Sequence, residues 1–505
     1  MFPRRLFMLL TAVSLLAAAG CAIRTKAVPQ VDLQSRPELP MVPSPSARAA
    51  WIPKGYRVEV VLSGLQYPTG VEFDNAGNMY VAEAGYVYGD AFAPARILRI
   101  TPEGKVTVAA DQLSGPVNDL LWHRNRLYIS HRTKISVLES NGRVRDLVTG
   151  LPSLGDHHNN QLAAGQDGNI YFGQGTATNS GVVGLDNFLM GWLTLYPHFH
   201  DKSAREIRLQ SKNFLTLNPL LLTAKEPGPM ATTGAFHPFS REGEEVKGVI
   251  KANGTILRMD SDGKNLNVYA WGLRNPFGVT FDDNGRLFVA ENGFDERGSR
   301  PVANAPDNLW IIQQGAWYGW PDYASGIPVT DPRFKPEYGG QPEFLMEEHP
   351  PVDTPFMTLP EHTGVTKIAF SPGGDFGFRG DLFVAEFGDI TPMSGQVAEP
   401  AGFRVTRIDI DTGQRHPFFP ARKETLGPPG MEYVTTPGPK RLLEPYFTRN
   451  GDALYVTDIG AFTIVTAAAP MPTPFPGTGV VWRIVREGAQ PSGPPANLTV
   501  PPAKQ

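Results

Sequence analysis

Residues 272–293 read GLRNPFGVTFDDNGRLFVAENG. Phe277, Val279 and Phe281 alternate with smaller or polar neighbours, an Asp-Asn-Gly turn follows, and a second apolar run passes through Leu287 to Glu291. Alternation with period two is the mark of a half-buried strand. Asn-Gly marks a hairpin turn, because glycine takes positive φ at low cost. The theme recurs along the chain. Pro68-Thr69-Gly70-Val71-Glu72-Phe73 leads to NAGNMYVAEAG and ARILRITPEGKV. Val117 to Trp122 leads to NRLYISHR and KISVLESNGRV. From His157 the chain gives QLAAGQDGNIYFGQG, and its partner GTILRMDSDGK returns after a long interruption at about 182–252. The quoted fourth unit continues into DNLWII; Thr363 to Lys367 leads to GDLFVAEFGD and FRVTRIDIDTG; Arg441 to Leu443 leads to NGDALYVTDIG and GVVWRIVREG.

Six such units predict an all-β, six-bladed β-propeller over residues 55–488, with loop insertions in the third, fourth and fifth units. No helical periodicity separates most units, which argues against βαβ winding. The repeat count disfavours a barrel or a sandwich and leaves five or seven blades as alternatives. The strand from Tyr56 to Val61 belongs to no unit, so it is expected to complete the last blade and close the ring.

Composition agrees. The 505 residues include 53 Gly and 48 Pro, suited to many tight turns. The net charge is −4, without the basic surface a nucleic-acid partner needs. Cys21 is the single cysteine, so an intrachain disulfide, a Cys-based zinc site and a c-type haem attachment are excluded. Arg4-Arg5, an apolar run over 6–19 and the small residues Ala18-Ala19-Gly20 precede Cys21. The segment resembles a lipoprotein signal peptide, with lipid on Cys21, and loosely a twin-arginine export signal. Residues 1–21 are thus expected to be the signal peptide, 22–54 a Pro/Ser-rich tether, and 489–505 a flexible tail. The protein is expected to be exported and lipid-anchored to the cell envelope, facing the periplasm.

A propeller gathers its chemistry at equivalent positions around a central channel. Just before the inner strand of the third unit stand His157 and His158, candidates for a general base or for a structural pair capping a turn. The fourth unit offers Arg274-Asn275-Pro276, and Arg441 takes the place in the sixth. Two arginines and a histidine converging on one channel suit a planar anionic cofactor; a surface salt bridge is the plainer role for each arginine. His198 and His200 have metal-ligand spacing but read better as structural, and Trp320 reads as core packing within WYGWP. No GxGxxG, P-loop, GxSxG or HExxH pattern is present.

HHNNQLAAGQDGNIYFGQG, GLRNPFGVTFDDNGRLFVAENG, DNLW and GAWYGWPDY together resemble the glucose/sorbosone dehydrogenase family, over about residues 55–488 and closest to its sorbosone-dehydrogenase-like branch. The resemblance implies a quinoprotein: pyrroloquinoline quinone (PQQ) and Ca²⁺ as cofactors, and oxidation of a sugar or related alcohol or aldehyde by hydride transfer. It implies His157 as base and Arg274 at the quinone carbonyl. Asn275, Asn292, Asp307, Tyr318 and Arg441 would contact the cofactor, and Gly293 and Phe294 would hold Ca²⁺ through their carbonyls. Electrons would pass to a separate periplasmic or membrane acceptor. Three positions depart from the family pattern: Thr176 where a carboxylate supports the base, Gly388-Asp389 where a cofactor-binding lysine is expected, and Leu443 in place of a second arginine. A non-catalytic envelope propeller binding a glycan or protein, or a Ca²⁺-dependent lactonase-like propeller, are the alternatives. An enzyme of the first kind must bring His157, Arg274, Asn275 and Arg441 to one channel face.

Overall fold

A computed structural model gives the architecture. It describes residues 41–500 except 88–89, 92–93, 191, 197, 218–229, 237–241, 392, 396–399, 421–433 and 466–470. Cys21 and the proposed signal peptide, with the tether up to residue 40, lie outside the described residues.

Six antiparallel sheets follow in chain order, each running from an inner to an outer strand. Their inner strands are Pro68–Phe73, Val117–His123, Asn159–Ala164, Asn275–Phe281, Val365–Phe370 and Leu442–Phe447. Each inner strand touches the next, and the sixth touches the first, so the ring closes at six blades. The orphan strand Tyr56–Leu65 pairs antiparallel with Gly479–Arg486 and completes the sixth blade, as its sequence led us to expect. The first and last parts of the propeller thus share one blade, which closes the ring. Apolar clusters between neighbouring blades form the core; Phe376, Phe383, Phe418 and Phe447, for example, pack edge to face between the fifth and sixth.

Part of the expected tail is built into this ring. Leu498–Thr499 lies parallel beside Leu62 and Ser63, while Ser492 and Pro494 are hydrogen-bonded to Asp452, Tyr455 and Arg483. The polar outer side of the closing strand offered backbone groups that these residues satisfy.

One irregularity repeats in every blade. All six inner strands carry a bulge at the same place, where the register slips between Pro68/Gly70, Val117/Asp119, Asn159/Leu162, Pro276/Gly278, Val365/Ile368 and Leu442/Glu444. A bulge re-aims successive side chains. Here it sets two adjacent residues per blade toward the axis. Thr69, Asn118, Asn160, Phe277, Thr366 and Leu443 line a cavity. One residue further along, Asp119, Lys367 and Glu444 meet: Lys367 Nζ donates to Thr69 O at 2.6 Å, to Glu444 Oε1 at 3.0 Å and to Asp119. Gln161 bridges the fourth and fifth blades by accepting from Val279 N and Ile368 N. These groups form a polar plug under the cavity.

The recurrent VAE of the sequence has a structural meaning. Glu83 accepts from Gln66 N and Glu291 from Arg274 N, so the second strand of the blade holds the backbone leading into its own inner strand. Asp458 does the same for Lys440 and Arg441 in the sixth blade.

Candidate functional site

The cavity on the axis has a volume of about 200 Å³. Its walls differ. The third and fourth blades contribute Asp156, His157, Arg274, Asn275, Asn292, Asp295, Arg297 and Asp307; opposite them stand Tyr67, Ala84, Phe387, Ile390, Leu443 and Ile459. One wall is therefore charged and amide-bearing and the other largely apolar.

His157 enters on the loop before the third inner strand. Its Nδ1 lies 3.0 Å from both Thr176 O and Thr176 Oγ1. Thr176 Oγ1 already donates its hydrogen to Thr178 O at 2.6 Å, so both Thr176 oxygens act as acceptors toward the ring. That places the proton on Nδ1 and leaves Nε2 as the basic nitrogen. Burial, followed by the charges of Arg274 and Arg297, holds the His157 pKa well below the ordinary 6.5, so the ring is neutral. Thr176 N donates in turn to Arg274 O, which laces the third blade's histidine to the fourth blade's arginine. Gly175 sits between His157 and Asn275, where a Cβ would come within 2.3 Å of His157 Cβ and 2.9 Å of Asn275 Oδ1; only glycine allows this approach.

Behind Thr176 lies a carboxylate that sequence reasoning missed. Asp201, from the long interruption, accepts from Ala177 N at 2.6 Å and Thr178 Oγ1 at 2.5 Å. The loop that holds the histidine is thus braced by the inserted segment, while Thr176 itself meets the ring. No spacing signal links Asp201 to residue 157. Burial pushes its pKa up to about 7. The fold therefore favours the protonated acid, and this contribution to stability is present at low pH and lost as pH rises through about 7. Asp201→Asn, which cannot ionise, should gain in melting temperature relative to the unsubstituted protein between pH 5 and pH 8. Calorimetry at both pH values checks this, and a difference that does not move with pH contradicts it.

Arg274 is almost wholly buried. Its Nε donates to Asn179 O and Oδ1 at 3.2 Å, and its Nη2 meets Asp295 Oδ2 at 2.6 Å. Trp320 Nε1 donates to the same Asn179 carbonyl, so this core tryptophan helps fix the arginine. Asp295 also holds Arg297, which pairs with Asp156 at 2.8 Å and Asp186 at 2.6 Å. Burial opposes the charge on Asp295, but Arg274 and Arg297 outweigh it and hold its pKa down. Asp186 lies in the short helix Leu185–Leu189, so Arg297 ties the insertion to the cavity wall.

The amides form a directed chain. Asn160 Nδ2 donates to Asn275 Oδ1 at 3.0 Å, Asn275 Nδ2 to Asn292 Oδ1 at 2.7 Å, and Asn292 Nδ2 to Val365 O at 2.7 Å. The orientations follow from the terminal carbonyl acceptor. Asp307 closes the arrangement by accepting from Gly293 N and Val365 N.

Seven of the nine chemical positions singled out by sequence, His157, Arg274, Asn275, Asn292, Gly293, Phe294 and Asp307, line this one cavity. Tyr318 and Arg441 do not. The Tyr318 ring is buried against Trp310, its hydroxyl accepts from Gln313 N, and it borders a smaller cavity behind Arg274 and Asn292. Arg441 corresponds in register to Asn275, since Leu442 pairs with Asp458 as Pro276 pairs with Glu291. Tyr67, Pro116, His158, Asn275 and Gly364 hold that position in the other blades and all line the cavity. Arg441 turns away instead. Its guanidinium lies 4.9 and 4.8 Å from the Phe387 and Phe403 ring centroids and donates to Gly388 O at 2.8 Å. The loop after the fifth blade's second strand needs that donor, and Leu443 faces the cavity in its place. Asp156, Asp295, Arg297 and His362 are cavity residues that no motif pointed to.

Among the described residues no group of three or more His, Cys, Asp or Glu is placed to hold a metal ion, His198 and His200 included. No described helix is long and apolar enough to cross a membrane.

Residues 243–399 match the Glucose / Sorbosone dehydrogenase family. Quinoprotein glucose dehydrogenase B of Acinetobacter calcoaceticus is 23% identical over 332 residues, covering 59% of this chain and 59% of that protein. The chain thus matches under two thirds of that relative's length. The holo PQQ domain of pyranose dehydrogenase from Coprinopsis cinerea superposes with a TM-score of 0.52 at 16% identity, covering 89% of this chain and 99% of that domain. At that identity the likeness is one of fold.

Proposed function

We propose that this relative of the Glucose / Sorbosone dehydrogenases is a PQQ-dependent dehydrogenase that oxidises a sugar or a related alcohol or aldehyde hydrate in the axial cavity. The observation that carries the reading is the meeting of a neutral histidine, with Nε2 unprotonated, and a fixed guanidinium and amide chain in one cavity. The donor set fits the group. A planar ring would find an apolar wall in Tyr67, Phe387, Leu443 and Ile459, and Arg274 and Asn275 would offer donors to its carbonyl oxygens. Among the described residues no acidic cluster is placed to hold a cation, so Ca²⁺ would be held through backbone oxygens, for which Gly293 and Phe294 on the cavity wall are the candidates.

PQQ, when bound, supplies the two-electron oxidant. The chain's own residues do the rest. His157 Nε2 takes the proton of the substrate hydroxyl. Arg274 stabilises negative charge developing on the accepting carbonyl, and its pairing with Asp295 and Asn179 keeps it from reorganising as charge builds. Phe277 and Thr366 on the cavity floor, above the Lys367 plug, close the site from below. Export and a lipid anchor at Cys21, with a separate periplasmic or membrane electron acceptor, complete the proposal.

The lactonase alternative needs acidic and amide groups converging on a central metal. The carboxylates present are engaged otherwise: Asp119 and Glu444 below the cavity hold the Lys367 ammonium, Asp156 and Asp295 on its wall pair with arginines, and Asp307 accepts from Gly293 N and Val365 N. Dye reduction by the purified protein, reconstituted with PQQ and Ca²⁺ and offered a panel of aldoses and sugar-derived aldehydes, tests the function. Reduction with at least one sugar is expected; none with any sugar, despite bound PQQ, rejects it.

A further inference from the structure

His362 is a third imidazole at the cavity, besides His157 and His158, on the link between the fourth blade's outer strand and the fifth blade's inner strand. It adopts φ +56°, a left-handed conformation that non-glycine residues enter at a cost and that often marks a functional position. Its Nδ1 lies 3.2 Å from Ser394 Oγ and 3.6 Å from Asp389 Oδ1. Asp389 is itself fixed by Thr391 N at 2.9 Å and Thr391 Oγ1 at 2.7 Å. Nδ1 is therefore committed as a donor on the Asp389 side, and the other edge of the ring, Nε2, is left to the cavity.

Charge accounting at the cavity gives this imidazole a role. The described residues that line it include three basic side chains able to carry charge there: Arg274, Arg297 and His362. Arg274 is neutralised by Asp295, and Arg297 is shared among Asp156, Asp186 and Asp295. The opposite wall is apolar. A ligand bearing several carboxylates therefore meets two arginines whose charge is shared with internal carboxylates. Burial works against a charge on His362, but Asp389, with Asp295 and Glu361, outweighs it and raises the pKa.

We propose that His362, oriented by Asp389 and Ser394 and carried as the imidazolium with both ring nitrogens protonated, is an anion-contacting residue of the cavity: its Nε2–H donates to a carboxylate of the bound quinone. The assignment rests on the PQQ reading above and deepens it. His157 and His362 then differ in kind, His157 offering a lone pair and His362 a proton.

The experiment compares PQQ with its trimethyl ester, which keeps the ring and quinone but lacks the negative charges. Binding to the Ca²⁺-supplemented protein is followed by quenching of tryptophan fluorescence, for the unsubstituted protein, His362→Gln and Asp389→Asn. Circular dichroism and melting temperature establish that each variant is folded. His362→Gln is expected to weaken PQQ about tenfold and to leave the triester within twofold; Asp389→Asn should weaken PQQ in the same direction, by less. Unchanged PQQ affinity in His362→Gln overturns the assignment while leaving the function intact. Equal weakening of both ligands also overturns it, since it points to a structural role. Failure of the unsubstituted protein to bind PQQ removes both this inference and the functional reading.

Discussion

Replacing His157 with alanine in the PQQ- and Ca²⁺-loaded protein is expected to lower turnover by about 10²–10⁴-fold, the span a positioned general base supplies. The expectation follows from its tautomer. Thr176 offers two acceptors to Nδ1, so the ring presents Nε2 as a base without any change of protonation. Cofactor affinity should change little, because Arg274 and Asn275 are held by partners other than His157. The pH dependence has a definite sign. Burial, Arg274 and Arg297 lower the His157 pKa, so the base stays neutral as pH falls through 6.5, and the acid limb of kcat should lie below the ordinary histidine value. Steady-state kinetics from pH 5 to 8 check both points; near-normal turnover in the variant, or a limb centred above 6.5, contradicts the assignment.

Lys367→Ala is expected to be the most damaging substitution for stability, at about 3–5 kcal/mol, the usual cost of breaking a buried ion pair from one side. Lys367 is 0% exposed and faces two carboxylates from different blades. Burial opposes its charge, but Asp119 and Glu444 raise its pKa above the ordinary value. Remove the ammonium, and two buried acids share the axis without a cation. A triple variant, Lys367→Met with Asp119→Asn and Glu444→Gln, should recover much of the loss, since neutral groups of similar size avoid the desolvation cost. Guanidinium unfolding of both variants measures this. A single variant as stable as the triple one contradicts the account of the plug.

The sequence was most legible where local rules act. Period-two strands, Asn-Gly turns and the orphan strand at Tyr56–Leu65 foretold six blades and their closure, because each blade is built from short-range hairpins. The entry loops were also legible, because propeller geometry brings equivalent positions to one axis; hence His157, Arg274 and Asn275 share a cavity. What escaped was decided between distant segments. Asp201 reaches the histidine loop from inside an insertion, Arg297 gathers acids from three places, and His362 stands on a link between blades. Arg441 shows the opposite error. Its position in the repeat was equivalent to a site residue, but the Phe387, Gly388 and Phe403 surroundings captured its side chain. Repeat position fixes where a backbone passes, while the neighbours decide which way a long side chain turns.

The central claim is that the axial cavity receives the quinone against Arg274 and Asn275. Absorbance titration of the purified protein with PQQ in the presence of Ca²⁺, run beside Arg274→Ala, tests it most directly. The account predicts saturable binding of one PQQ per chain, weakened about tenfold or more in the variant, as loss of a charge-assisted contact requires. Absence of saturable binding, or equal affinity in the two proteins, would contradict it.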